Sequence, residues 1–474
     1  MDKIFGRKPA PREPVPGDRV VPLHFFENSL LVQGNNMAVS LVIDHVLDPE
    51  ALRQSLEGLV KREGWQRLGG RLRKNASGEI EWHIPSEFTS ERPAINFVHV
   101  DHGIPAASHP AASRIPQPST RPSVVADPDD LADLAWEAGY KPNGINDYLT
   151  SDLPVLGLRV HSFTDKTVLV LHWQHVAFDA LGMQHVVEGW NAMLWGNETD
   201  IPTPCGLDSD PFDPLARGAR GALPATEAHL LADRRVGIVG MARWALGYGV
   251  DMLVRAKENR MVCIPETYWR RQLQKALQEL RAEAVEKGED PSKVFLTEGD
   301  ILTAWTMRCV VGPMGMDPNR TVAGSIAMSL RKAFEGDLIP PAAEHPYVGN
   351  AFGWANVLVT AGDMTSKPLS WLARQVRRAI NEQGTRSQHE AYYDMVRTSG
   401  TGLPIVIFGD GGMYQIGFSN WTKAGLFNLD FSPACKAKID KPCRPSYVQE
   451  NHGPVKGQWA KFQEQLDRGF EAGI

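Results

Sequence analysis

The chain has 474 residues, of which 42% are hydrophobic and 22% charged, with a net charge of −6. That length exceeds what one core ordinarily fills, so two or three folding units of ordinary globular composition are expected. The acidic balance excludes a basic nucleic-acid footprint, and five scattered cysteines without metal-ligand spacing point to a reduced, cytoplasmic chain with no metal site.

From Met1 to Gly17 the chain is polar and proline-rich, without the apolar stretch that a secretory signal needs. Structure is expected from about residue 20. Met37 to Val46 alternates, with Val39, Leu41 and Ile43 on one face, and reads as a strand. Asp48-Pro49-Glu50 then supplies an N-cap, a proline at the first helical position and an early acid, and Leu52, Leu56, Leu59 and Val60 form the stripe of a helix. Residues 102–128, rich in Pro, Ala and Ser, read as a long surface loop. The run Val168-Leu-Val-Leu171 reads as a buried strand, and the amphipathic segment Leu181 to Leu194 as a helix. Residues 197–226 are again loop-like. Val236 to Val254 is mostly apolar and close to the roughly 20 residues that span a bilayer. Arg243 and Asp251 interrupt it and four glycines weaken it, so it reads as a protein-covered surface helix, with a peripheral membrane contact as the alternative, and not as a span.

The second half opens with a helix around Leu273, Ala276, Leu277 and Leu280. Thr297-Glu-Gly-Asp300 resembles a capping box with Asp in place of Glu, and starts a helix through Ile301 and Trp305. Strands are expected at 321–330, 352–360, 404–408, 412–419 and 426–431, with a helix near 370–383. Strands and helices mix in both halves, which predicts an α/β chain: a unit over 20–205, a crossover over 206–265 and a unit over 266–474.

The chemistry concentrates in His175-Val-Ala-Phe-Asp179, directly after the 168–171 strand and before the 181–194 helix. A histidine at a strand-to-helix corner can face a cleft while its backbone stays fixed. Its imidazole titrates near neutrality and can take a proton from an alcohol or amine and later return it. The chain contains no phosphate loop, no Gly-x-Ser-x-Gly elbow and no His-Glu-x-x-His or Cys-x-x-Cys pattern, so neither a nucleotide nor a metal is called for. What remains is a base that needs a substrate bringing its own nucleophile.

His172-Trp-Gln-His175-Val-Ala-Phe-Asp179-Ala resembles the His-x-x-x-Asp-Gly motif of the BAHD acyl-CoA-dependent acyltransferases, including their fungal trichothecene O-acetyltransferase branch. Other segments agree in the order such enzymes show. They are Leu52 to Leu72, ending Leu68-Gly-Gly-Arg-Leu72; Val294 to Cys309 with Thr303-Ala-Trp305; Leu330-Arg-Lys332; Tyr347-Val-Gly-Asn350-Ala; and Ser419-Asn-Trp421 followed by Asn428-Leu-Asp430-Phe431. Two departures stand out: Ala180 replaces the usual glycine, and Ser432-Pro433 replaces Gly-Trp-Gly.

The resemblance implies two similar chloramphenicol-acetyltransferase-like domains, with mixed sheets, flanking helices and an active-site tunnel at the domain interface. It implies acetyl-CoA or another acyl-CoA as co-substrate, no permanently bound cofactor, a small-molecule alcohol acceptor and a monomer. On that footing His175 is the general base, and Asp179 is a structural anchor pairing with Arg331 or else an orienter of the imidazole. Trp421 is an oxyanion donor with Ser419 nearby, or equally a wall residue. Ser419, Gly349 and Asn350 are the candidate substrate-binding residues, with Gly349-Asn350 also suited to a turn at the interface. His172 and His185 read as structural.

The function expected is transfer of an acyl group, acetyl first, from CoA to a hydroxyl of a secondary metabolite without a covalent acyl-enzyme. Carrier-protein-dependent condensation, a cyclisation or rearrangement on the same fold, and a silent metabolite-binding protein are the alternatives. Gln174 stands where condensation domains carry a first histidine.

Overall fold

The computed structural model describes residues 12–137, 143–216, 223–254, 260–399 and 405–452. Its larger sheet has five strands in the order Tyr447–His452, Asn36–Ile43, Thr167–Gln174, Leu156–Ser162 and Asn96–Asp101. All neighbours are antiparallel except the last pair. Asn36–Ile43 and Thr167–Gln174 are buried along their whole length because both faces are covered. Val39, Leu41, Leu169, Leu171 and Trp173 pack with the helices Pro49–Lys61 and Ala180–Leu194. Ala38, Val42, Val168 and Val170 pack against Ala112, Leu131 and Leu134 on the other side. Two-sided cover explains why Val168 to Leu171 is continuously apolar and not alternating.

The second sheet has Thr321–Ser329 at its centre, antiparallel to Phe352–Thr360 and parallel to Tyr414–Phe418. Val322, Ile326, Ala355, Val357 and Ile416 form its core face under the helices Glu266–Glu286, Glu298–Val311 and Leu369–Gln383. Its opposite face, with Ser325, Ala327, Trp354, Asn356 and Gln415, lines a cavity. The capping box at Thr297 forms: the Asp300 amide donates to Thr297 Oγ1, and the Thr297 amide donates to Asp300 Oδ2 at 2.6 Å. Arg377 donates to the same carboxylate at 2.6 Å, tying two of the covering helices together.

After the second sheet the chain returns to the first. Tyr447–His452 pairs with Asn36–Ile43, from Tyr447 against Val42 to His452 against Met37. This late strand carries no sequence signal strong enough to separate it from a loop.

Four readings need correction. Residues 426–431 are not a strand. The turn Leu426–Asn428 follows Gly425, whose φ is 63°, and Leu426, Leu429 and Phe431 are buried from a loop at spacings of three and two residues. Residues 405–408 make only the isolated bridge of Phe408 with Arg235, and 400–404 lie outside the described residues. Within 102–128, Ser123–Ala126 is a strand pairing with Met261–Cys263. The apolar segment forms the helix Ile238–Val254, but its outer face is not covered by any of the described residues. The helix Arg386–Thr398, unexpected from the sequence, is capped by Thr385 Oγ1, which accepts from the Gln388 amide.

Candidate active site

His175 follows the last residue of Thr167–Gln174, and its backbone is held from two sides. Its amide donates to the Asn35 carbonyl at 3.0 Å, and its carbonyl accepts from Asn350 Nδ2 at 2.9 Å. The neighbouring Gln174 is fully buried. Its Nε2 donates to the Gln33 and Asn35 carbonyls at 2.9 and 3.1 Å, and its Oε1 accepts from the Val176 amide at 2.6 Å. Trp173 Nε1 donates to the Phe178 carbonyl at 3.2 Å while the two rings stack at 4.8 Å. The corner is therefore braced by Gln174, Trp173, Asn35 and Asn350. The His175 side chain stands half-buried on the cavity wall.

Asp179 opens the Ala180–Leu194 helix. Its Oδ1 accepts from the Leu181 and Gly182 amides at 3.1 and 2.8 Å, a helix N-cap. Arg331 donates to both carboxylate oxygens, at 2.9 and 3.0 Å, and the Ala351 amide adds a bond to Oδ2 at 2.8 Å. Burial pushes the carboxyl pKa up. The Arg331 charge and hydrogen bonds, with the Ala351 and Gly182 amides, outweigh it and hold the group below its ordinary 3.8. Five donors on two oxygens leave no lone pair well placed to orient an imidazole.

Arg331 also donates from Nε to the Tyr347 carbonyl at 2.9 Å and from Nη2 to the Gly349 carbonyl at 2.5 Å. Its fork thus fastens the 347–351 segment to the start of the Ala180–Leu194 helix. Gly182 is what permits the approach, since a Cβ there would run into the Val348 carbonyl oxygen. The glycine is displaced by two positions from the motif's usual place at Ala180, and nothing local marked it.

Asn350 and Gly349 do not face the cavity. Asn350 is fully buried, and its Nδ2 bridges the His175 and Val176 carbonyls at 2.9 and 3.1 Å. Gly349 meets Arg331 through its carbonyl. Their expected substrate-binding role is corrected by this inward orientation: both hold the corner from behind. Ser419 and Trp421 do line the cavity with His175. The Trp421 indole N–H donates to Ser419 Oγ at 2.9 Å, and its ring lies 6.4 Å from that of Trp173.

Tyr347, given no role by the sequence beyond its place in the matching segment, is buried, shares the cavity wall and places its hydroxyl 3.3 Å from His24 Nδ1. His172 lies inside the first unit beside Trp136, and burial, with Arg159 nearby, depresses its pKa to about 4. His185 sits on the Ala180–Leu194 helix, 3.7 Å from Glu188.

The cavity measures about 2800 Å³, and residues from both halves and from the Ile238–Val254 helix line it. Small-molecule sites ordinarily occupy about 300–1,000 Å³, so the space exceeds the needs of one ligand. Among the described residues no group of three or more His, Cys, Asp or Glu side chains is arranged to hold a metal ion. No helix among them is long and apolar enough to cross a membrane.

A corner histidine thus stands on the wall of a cavity lined from both halves of the chain, and behind it a carboxylate and a guanidinium join those halves. Residues 256–436 match the Transferase family. The chain is 33% identical to acetyltransferase adrJ of Penicillium rubens, over 94% of this chain and 90% of that protein. It is 34% identical to a Penicillium decumbens protein named transcriptional regulator calD, over 96% and 92%. Its fold is similar to that of F. graminearum TRI101 complexed with coenzyme A and T-2 mycotoxin, with a TM-score of 0.57, 15% identity and coverage of 91% of this chain and 89% of that one. The chain belongs to the Transferase family, on its fungal BAHD-like branch, and is an acyltransferase.

Proposed function

We propose that the protein is an acyl-CoA-dependent O-acyltransferase, with acetyl-CoA as donor and a hydroxyl of a fungal secondary metabolite as acceptor. The observation that carries this reading is His175, its backbone clamped by Asn35 and Asn350, facing a cavity roomy enough for two substrates. The name of the Penicillium rubens relative, an acetyltransferase, supports acetyl transfer, and the coenzyme A in the TRI101 complex supports the donor.

The acceptor oxygen attacks the thioester carbonyl as His175 takes its proton. The tetrahedral intermediate collapses with cleavage of the C–S bond, and the imidazolium protonates the departing thiolate. The products are the ester and free CoA, with no covalent acyl-enzyme. General base catalysis supplies about 10²–10⁴-fold, and positioning and oxyanion stabilisation supply the rest. Because the Trp421 N–H is directed at Ser419 Oγ, the Ser419 hydroxyl is the group left to donate to the oxyanion, with the indole orienting it. Asp179 and Arg331 act through position only. We read the chain as two acyltransferase units, 20–205 and 266–474, joined by the 206–265 crossover and working as a monomer in the cytoplasm.

The test is thiol release from acetyl-CoA in the presence of a panel of polycyclic alcohols, with wild type and His175→Ala compared and product ester identified by mass. Turnover by wild type and its loss in the variant are expected. Equal turnover by both removes His175 as base. Reaction only with an acyl carrier protein, or product formation without any thioester, replaces the reading with condensation or rearrangement. Tight metabolite binding without turnover across donors replaces it with a binding protein.

A further inference from the structure

The helix Ile238–Val254 is apolar except for Arg243 and Asp251, more so than a helix with one buried stripe needs. Its inner stripe is covered: Trp244 and Met241 pack with Val236, Ala323 and Met413. Its outer stripe is not. Val239, Leu246, Val250 and Leu253 fall on one line at spacings of seven, four and three residues, and with Ile238 they are between 51% and 87% exposed. An open row of aliphatic side chains about 20 Å long is unusual on a monomer and marks an interaction surface.

Two observations choose the partner. The first is charge. Arg234 and Arg235 stand exposed immediately before the helix, and Arg243 is exposed within it. Along residues 231–260 the sequence carries six Arg or Lys and three Asp or Glu, whereas the whole chain has 50 basic and 56 acidic residues. A local basic excess beside an apolar stripe in an acidic chain suits an anionic lipid surface, where aliphatic side chains enter the acyl boundary and arginines meet headgroups. The second is position. Met241, Trp244 and Tyr248 of this helix line the cavity that holds His175, so one helix separates that cavity from whatever covers its outer face.

We propose that this helix docks the protein peripherally on an anionic bilayer, lying in the interface with Val239, Leu246, Val250 and Leu253 immersed. The helix does not span. At 17 residues it is about 25 Å long, short of the roughly 30 Å hydrocarbon core, and its inner side is held by the protein. An apolar molecule dissolved in the leaflet then reaches the cavity around one helix instead of crossing water. The docking does not depend on the catalytic reading above.

The experiment is flotation of the full-length protein with phosphatidylcholine vesicles, with and without phosphatidylserine. Wild type is expected to float with the phosphatidylserine-containing vesicles and to be released by salt. Val239→Glu/Leu246→Glu, at two outer positions away from the cavity lining, is expected to lower the bound fraction about tenfold or more, with an unchanged near-ultraviolet circular dichroism spectrum. A variant with an altered spectrum is replaced by Val239→Ser/Leu246→Ser, for which the same loss is expected. Failure of wild type to float, or equal flotation of a folded variant, overturns the proposal. A wild-type dimer in solution that the variant converts to monomer, without vesicle binding, assigns the stripe to a second copy of the chain and overturns it equally.

Discussion

Asp179 and Arg331 face each other in a two-bond fork at 2.9 and 3.0 Å. The carboxylate also caps the Ala180–Leu194 helix and takes the Ala351 amide, while the guanidinium also holds the Tyr347 and Gly349 carbonyls. The aspartate of the His-x-x-x-Asp pattern therefore joins the histidine's corner to the second half of the chain.

Asp179→Ala is expected to cost about 3–5 kcal/mol, because it leaves a buried guanidinium without its counter-charge and removes the helix cap. Asp179→Asn keeps the shape and part of the cap, so its loss should be smaller. Urea unfolding at neutral pH checks both. The pH dependence has a definite sign. The folded carboxyl lies below its ordinary 3.8, so the stability it contributes is present above that value and is lost as pH falls through the folded pKa. The gap between wild type and Asp179→Asn should therefore narrow only below about pH 4. A gap that closes at pH 6 contradicts the ion pair.

Asn350→Ala is expected to destabilise and slow the enzyme together. It strips the His175 and Val176 carbonyls of their shared donor, and each unsatisfied buried group costs about 1–3 kcal/mol. With the corner loosened, kcat should fall more than the donor KM rises, since Asn350 lies behind the wall and not on it. Steady-state kinetics in acetyl-CoA separate the two. A change confined to KM would put Asn350 against the substrate after all.

Local chemistry was legible in the sequence, and long-range pairing was not. Thr297 with Asp300, and Asp48 with Pro49, announce helix starts because each signal lies within one turn, and the structure forms both caps. Leu429 and Phe431, two residues apart, imitate a strand because core-facing loop side chains can fall at the period of a pleat. Tyr447–His452 joins a strand some 400 residues earlier, a contact that no local pattern encodes. At the site, His175 and Asp179 were visible as a motif, whereas the clamp by Gln174 and the close approach at Gly182 depend on segments that meet only in the fold.

Ser419→Ala is expected to lower kcat by about 10²-fold, the loss typical of one oxyanion donor. Trp421→Phe keeps the wall and removes only the indole N–H that orients Ser419, so a smaller loss is expected. Comparison of kcat for the two variants and the double variant is the check, and the double variant should resemble Ser419→Ala. A larger loss in Trp421→Phe would make the indole the direct donor.

Acid should unfold the protein through its buried histidines well before its carboxylates respond. Burial, first among the causes, depresses the pKa of His161, His172, His229 and His389 to about 4, against 6.5 for the exposed imidazole. The folded state therefore keeps these rings neutral while the unfolded chain protonates them. Stability is complete above pH 6.5 and falls as pH drops from 6.5 towards 4, by at most on the order of 3 kcal/mol for a group shifted this far. The urea midpoint should decline across that window with proton uptake on unfolding. His172→Leu, which removes a titrating ring from an apolar setting beside Trp136, should flatten the decline. A decline of equal steepness in wild type and His172→Leu would mean that His172 is not kept neutral by the fold.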